Sequence, residues 1–522
     1  MLQIINKTIE YGLYLLIFLL PVQTRWIIKP EASEYLTISL YGTDLLLVVL
    51  VALFIVYNFQ FSIFNFQSIF NFQFSNPPAC LADRQVGRGK HKIPIYWQLI
   101  TGLGLIAFIS VFFAPDKLIA IQSCLRLLLG VGLFWLMVSA NYNKLKLIYA
   151  FLAGIFLQAC LGIWQFLTQS SFANKWLGMA AHSAGDLGVS VVETLQGERW
   201  LRAYGGLDHP NMLGGLLAVG ILLLMHSNLF GNSARIFKFT NTDCHSEPQA
   251  KNLWIKYKNV FFAKYIKSDI NQRSFAALRM IDNNKLLFTS YFLLLTLVAA
   301  LFFTFSRGAW AGLIIGILII LAAMAVKRDL RGQKRLLKII LLSAALIFIL
   351  FSQFQDLVLT RLSQDTRLEV KSNVERVESL RSAQQLIKNN WLRGVGIGNY
   401  IKYNANLQIY ANTTNTNYAN KDTYVQPAHN VFLLVWAEIG IFGLLFFILI
   451  PLFIIHYSLF KNNLRSKNLI LSISLLAAIT AMFLVDHWWW SLHFGVLLFW
   501  LVLGLIIAID NDNNKTYNEN II

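Results

Sequence analysis

The chain has 522 residues, 56% hydrophobic and only 13% charged, with a mean hydropathy of +0.55 and a formal net charge of +18. That balance excludes a soluble globular domain of this length and defines an integral membrane protein. The four cysteines, Cys80, Cys124, Cys160 and Cys244, show neither a disulfide framework nor metal-ligand spacing.

Apolar runs of about 17 to 25 residues, the length that crosses a bilayer core as helix, predict twelve spans. They fall near 8–23, 42–58, 96–113, 118–140, 146–167, 211–228, 286–305, 309–326, 335–352, 430–459, 468–485 and 492–509. The first run, in MLQIINKTIEYGLYLLIFLLPVQ, follows a basic residue but ends without a small-residue cleavage site, so it reads as a retained span. The connections alternate in charge. RQVGRGKHK (84–92), NKLK (143–146), the basic segment 231–285, KRDLRGQKR (327–335) and KNNLRSK (461–467) share one side. The positive-inside rule makes that side the cytoplasm, with both termini. The opposite loops, 24–41, 168–210 and 353–429, are longer or nearly charge-balanced, and DHWWWSLH (486–493) holds no Lys or Arg. The excess charge is therefore a topology signal. No basic face with interleaved aromatics is left to argue for a nucleic-acid partner.

The expectation is an all-α polytopic fold: one transmembrane domain over 1–522, with a large, partly helical extracytoplasmic loop at 353–429. Two cytoplasmic segments look peripheral to any mechanism, the Phe/Asn/Gln repeat at 58–76 and the insertion at 231–285.

RAYGGLDHPNMLGG (202–215) offers Arg202, Asp208, His209 and Asn211 at the outer start of the sixth span, with Pro210 placed to open the helix. Capping accounts for Asp208 and Asn211; Arg202 has no such local reason. FTFSRGAWAG (303–312) sets Arg307 between two apolar runs. A charge there costs about 2.5 to 3.5 kcal/mol on insertion scales and marks a functional site by default, against a reading in which it reaches the headgroups.

In the large loop, NVERVESLRSAQQLIKNNW (373–391) reads as an amphipathic helix with Val377, Leu380, Ala383, Ile387 and Trp391 on its apolar stripe. Arg376 points along that stripe, so it meets an anion or carbonyls, or it snorkels from the stripe's end. Three alternating glycines in LRGVGIGNY (392–400) force a turn after the helix. The polar run 404–427 leads to His429 and Asn430 at the mouth of the tenth span. DHWWWSLHF (486–494) reads as an aromatic belt, although Asp486 and His487 share the outer surface with the other groups.

SRGAW (306–310), then NVER opening an amphipathic helix that ends in GVGIGNY, then AHNVFLLVWAEIGIFG, in this order on a polytopic scaffold, resembles the O-antigen ligase and polymerase superfamily, most specifically over 300–450. The resemblance implies a glycosyltransferase C-like membrane enzyme of the inner membrane. Such an enzyme transfers a glycan from an undecaprenyl-pyrophosphate carrier to a glycolipid or glycan acceptor on the outer face, with no cofactor, nucleotide or metal. It further implies that Arg307 and Arg376 are the essential arginines and His429 the essential histidine, with Asn430 after it as in the family and as a substrate contact; Arg202, singled out by its own lack of a local reason, joins as a third candidate for the pyrophosphate contacts. A polymerase or a protein O-oligosaccharyltransferase uses the same motifs. A transporter is the rival of a different class, and it requires functional charges near mid-membrane.

Overall fold

The computed structural model describes residues 2–31, 33–63, 94–230, 288–363, 366–405, 426–461 and 466–519. The insertion at 231–285, the basic loop at 84–92, most of the repeat at 58–76 and the greater part of the polar run at 404–427 lie outside the described residues.

An apolar helix coincides with each of the twelve expected spans. The first six are α1 (Leu2–Leu19), α2 (Gly42–Ile63), α3 (Ile95–Phe113), α4 (Lys117–Ser139), α5 (Lys144–Thr168) and α6 (Pro210–Phe230). The next three are α7 (Phe288–Phe303), α8 (Arg307–Lys327) and α9 (Leu330–Ser363). Among the described residues nine helices are long and apolar enough to cross a bilayer, and Pro210–His226, Phe288–Phe303 and Lys467–Phe483 are shorter apolar helices. This is a polytopic all-α membrane protein. Side chains such as Phe108, Phe112, Leu318 and Phe348 are exposed, as lipid-facing residues are, because hydrocarbon rather than water surrounds them.

Two helices depart from the expected spans. At 34 residues, α9 is about 50 Å long at 1.5 Å per residue, well beyond a bilayer core. It therefore continues into the segment expected to be loop, bending at Phe354, and buries Leu357, Val358, Thr360 and Arg361. The loop helix α10 (Arg367–Asn390) begins six residues before its expected start. α11 (Val431–Lys461) is interrupted at Gly440, whose φ of 72° only glycine adopts readily. The chain ends with α12 (Lys467–Phe483), the short α13 (Trp488–Ser491) and α14 (His493–Glu519), whose membrane window is 94% buried and forms the centre of the bundle.

Among the described residues, three two-stranded antiparallel hairpins decorate the α1–α2 and α5–α6 connections: β1 (Arg25–Lys29) with β2 (Ile38–Tyr41), β3 (Ser170–Ser171) with β4 (His182–Ser183), and β5 (Val191–Glu193) with β6 (Arg199–Leu201). They are too short to alter the fold class.

A glycine stripe brings α8 against α12. A Cβ on Gly312 or Gly316 would meet the carbonyls of Ala478 at 2.8 Å or Ser474 at 3.3 Å, and one on Gly308 would meet Val485 at 2.8 Å. Small residues four apart let the two backbones approach. As a result the start of α8, with Arg307, lies beside the 485–487 turn.

Candidate active site

The corner between α7 and α8 carries Arg307. The end of α7 leaves carbonyls without helical partners, and three donors close them. Ala203 N–H donates to Phe303 O at 3.0 Å, Arg202 Nε to Thr304 O at 2.7 Å and Arg361 Nε to Phe305 O at 3.3 Å. Phe305 itself holds a φ of 47°, and Ser306 caps α8 by accepting from Ala309 N–H. The corner is thus fixed on every side, and Arg307 leaves it with a defined direction.

Glu369, only 4% exposed, sits between two guanidiniums: Arg307 Nη2 at 3.3 Å and Arg361 Nη1, which it binds closely. Arg307 also donates to the Arg361 carbonyl at 3.3 Å. Sequence reasoning missed Arg361 and Glu369. One signal was available: Glu369 precedes Arg376 by seven residues, two turns on the same helix face.

The buried face of α10 runs through Glu369, Ser379, Ala383, Leu386 and Ile387. Val377 and Trp391, expected on the stripe, are 46% and 54% exposed. The face that packs inward is rotated toward Arg376, which is half-buried with its Nε enclosed and unbonded among the described residues. The charge of Arg376 acts on His209, His429, Asp486 and His487, so four segments distant in sequence meet in one place.

His429 packs its ring against His487, with centroids 4.9 Å apart, and its Nε2 lies 3.2 Å from Gln426 Oε1; its Nδ1 is buried with no hydrogen-bond partner among the described residues. Burial, assisted by the positive charge of Arg376, pulls its pKa down to about 4. Burial and neighbouring cations hold His209 and His487 well below the ordinary imidazole value. Asp486 is pushed up to about 6 by burial, against the opposing pull of Arg376 and the hydrogen bond from Asn211. Three neutral imidazoles therefore border a group of guanidiniums. Such a site accepts an anion readily, and an anion would in turn raise the basicity of the histidines.

Two expected substrate contacts are engaged within the protein. Arg202, 3% exposed, donates through Nη1 to Ser190 Oγ at 2.6 Å and through Nη2 to Asn211 Oδ1 at 2.7 Å, besides its bond to the corner. Asn211 passes the connection on, donating to Asp486 Oδ1 at 3.0 Å. Capping does not account for Asn211 or Asp208: the one bridges Arg202 and Asp486, and the other lies 4.0 Å from Arg25. Asn430 caps α11 by accepting from Leu433 N–H at 3.0 Å and donates to Leu484 O at 3.3 Å, which ties the start of α11 to the end of α12. The aromatic-belt expectation for 486–494 is not met at Trp488 and Trp489. Trp488 and Trp489 are buried against one another and against Phe483 and Phe494, as core residues.

The glycine turn has a specific partner. Gly394, Gly396 and Gly398 all have positive φ, and Val395 and Gly396 donate N–H bonds to the Ala437 and Glu438 carbonyls at 2.9 and 2.8 Å, the carbonyls freed by the break at Gly440. Glu438 Oε2 gathers Gly398 N–H at 2.9 Å and Trp490 Nε1–H at 2.8 Å. The WAEIG sequence thus binds the loop helix, the turn and the 487–491 segment to α11, the helix that opens two residues after His429.

Fold and site together define a multi-pass membrane protein with an arginine- and histidine-lined polar site at one end of its bundle. Residues 292–448 match the O-antigen ligase family model, and this stretch contains Arg307, Arg361, Glu369, Arg376 and His429. The resemblance to the O-antigen ligase superfamily therefore holds over that region, and it supports a glycosyltransferase-like role in O-antigen or polysaccharide assembly. No curated protein matches the chain.

Proposed function

We propose that the protein transfers a glycan from an undecaprenyl-pyrophosphate carrier to the hydroxyl of a glycolipid acceptor at the outer face of the cytoplasmic membrane, with both termini in the cytoplasm. The observation that carries this reading is the packing of His429 on His487, within the field of Arg376, on the turn that adjoins the corner of Arg307.

In the transfer, the acceptor oxygen bonds to the anomeric carbon while the bond from that carbon to the pyrophosphate oxygen breaks. The electron pair leaves with the pyrophosphate, and the acceptor proton passes to His429. Arg307 and Arg376 hold the leaving group, since a guanidinium binds phosphate oxygens in a fork and stays charged. Arg361 and Glu369 orient Arg307. Arg202 supports the α7–α8 corner and Asn430 fixes the start of α11, so both position the site rather than touch substrate.

The test uses the purified full chain in lipid nanodiscs with an undecaprenyl-pyrophosphate-linked glycan. Transfer that requires a glycolipid acceptor is expected. Growth of the glycan on its own carrier without that acceptor identifies a polymerase instead, transfer to a protein hydroxyl identifies a protein O-oligosaccharyltransferase, and no transfer to any acceptor refutes the reading.

A further inference from the structure

A second polar concavity lies beside the arginine cluster, on the other side of the 208–209 backbone. It is a cavity of about 160 Å³ lined by Arg25, Glu34, His182, Tyr204 and Asp208. Three segments from two connections, α1–α2 and α5–α6, build it. The β1–β2 hairpin supplies Arg25 and Glu34; the 170–183 segment supplies His182; the turn before α6 supplies Tyr204 and Asp208. The first two are locked together, because Thr24 Oγ1 bonds the Trp176 carbonyl and Gly178, at φ 68°, packs where a Cβ would strike the Gln23 carbonyl.

The chemistry of the lining is mixed in a particular way. Tyr204 and His182 stack at 4.6 Å and form an aromatic wall, with the Tyr204 hydroxyl held by Ser190 N–H at 2.6 Å. Asp208 lies 4.0 Å from its nearest cation, Arg25, and Glu34 stands at the open rim. Two carboxylates against one guanidinium make the cavity unfavourable for a phosphate or pyrophosphate. Sugar hydroxyls both donate and accept, which suits carboxylate acceptors beside guanidinium and imidazole donors.

Position links this cavity to the chemistry. Asp208 feels Arg25, His493, His182 and Arg126, whereas the adjacent His209 feels Arg202, His429, Arg361 and Arg376. One peptide unit separates the two environments. We propose that the cavity is a sugar subsite that takes an uncharged pyranose ring of the glycan substrate, either from the donor repeat or from the acceptor. The assignment rests on the glycan-transfer reading for its substrate, although sugar binding is measurable without it.

Saturation-transfer NMR on the full chain in phosphatidylcholine nanodiscs tests the site, with methyl glucoside, methyl galactoside and methyl N-acetylglucosaminide as probes and inorganic pyrophosphate as comparison. At least one glycoside signal is expected in the wild type, lost in Glu34→Ala and His182→Ala and kept in Arg307→Ala; the pyrophosphate signal should show the opposite pattern. No glycoside signal, or signals indifferent to Glu34→Ala and His182→Ala, overturns the subsite. Steady-state transfer then separates the sources: a raised KM for the donor assigns the ring to the donor, a raised KM for the acceptor assigns it to the acceptor, and an unchanged KM for both refutes the proposal. If wild-type protein transfers no glycan at all, the functional reading fails while the glycoside signals still decide the cavity.

Discussion

Arg307 reaches solvent with 22% of its side chain, while its neighbour Arg361 shows only 7%, and this difference separates their roles. Arg307→Ala removes a charge-stabilising donor and is expected to lower the transfer rate by about 100- to 1000-fold, the usual loss for one such group. Arg307→Lys should fall between wild type and Ala, because lysine keeps the charge without the fork; full activity with Lys would leave the fork without a role. Glu369→Ala breaks a buried pairing with two arginines and should destabilise the protein by about 3 to 5 kcal/mol, read as a lower melting temperature. The His429 shift sets a pH dependence. The free enzyme loses its base as pH falls through about 4 rather than 6.5, so the acid limb of kcat/KM is expected well below neutrality. Donor phosphates raise the histidine in the complex, and the acid limb of kcat should therefore sit at higher pH than that of kcat/KM.

At the scale of elements, the spans were legible because the bilayer demands long apolar runs, and a window of composition detects them without any knowledge of contacts. The inward direction of Arg376 was legible too, from helical spacing alone. The Arg361–Glu369 pair was not, since its partners lie on two different helices, eight residues apart across the connection between α9 and α10, and spacing along one helix does not reveal it. Trp488 and Trp489 were misassigned because interface and core favour the same aromatic residues, and burial is decided by neighbours far along the chain. The hydrogen bonds of Arg202 were not legible, because Ser190 and Thr304 belong to other segments and the bond to Asn211, nine residues on, depends on the turn before α6. The glycine turn carries a prediction of its own. In Gly394→Ala a side chain at φ 70° would meet the Glu438 carbonyl at 2.3 Å; strained backbone costs about 1 to 3 kcal/mol, and the clash adds to it. Lower thermal stability with reduced transfer is expected, and a variant as stable and active as wild type would remove the turn from the support of His429.

For the whole molecule, α14 anchors the bundle while the functional groups collect at helix ends and in the connections between them. His209, Arg307, Arg361, His429, Asp486 and His487 all stand at or beside a helix terminus, where backbone groups are free to be tied down by side chains. This placement also bears on the transporter alternative, which requires charges midway along the spans. Cysteine substitutions at Glu198 and Arg381, both exposed, should label from the outer side only, whereas one at Arg331, exposed in the 327–335 connection, should label from the cytoplasmic side; labelling of all three from one side would contradict the proposed topology. The central claim concerns the joint action of the arginines and His429, and His429→Gln tests it most directly, because glutamine keeps hydrogen bonding without basicity. Transfer from undecaprenyl-pyrophosphate-linked glycan should fall by about 100-fold or more while pyrophosphate binding persists, and transfer at the wild-type rate by this variant would contradict the account.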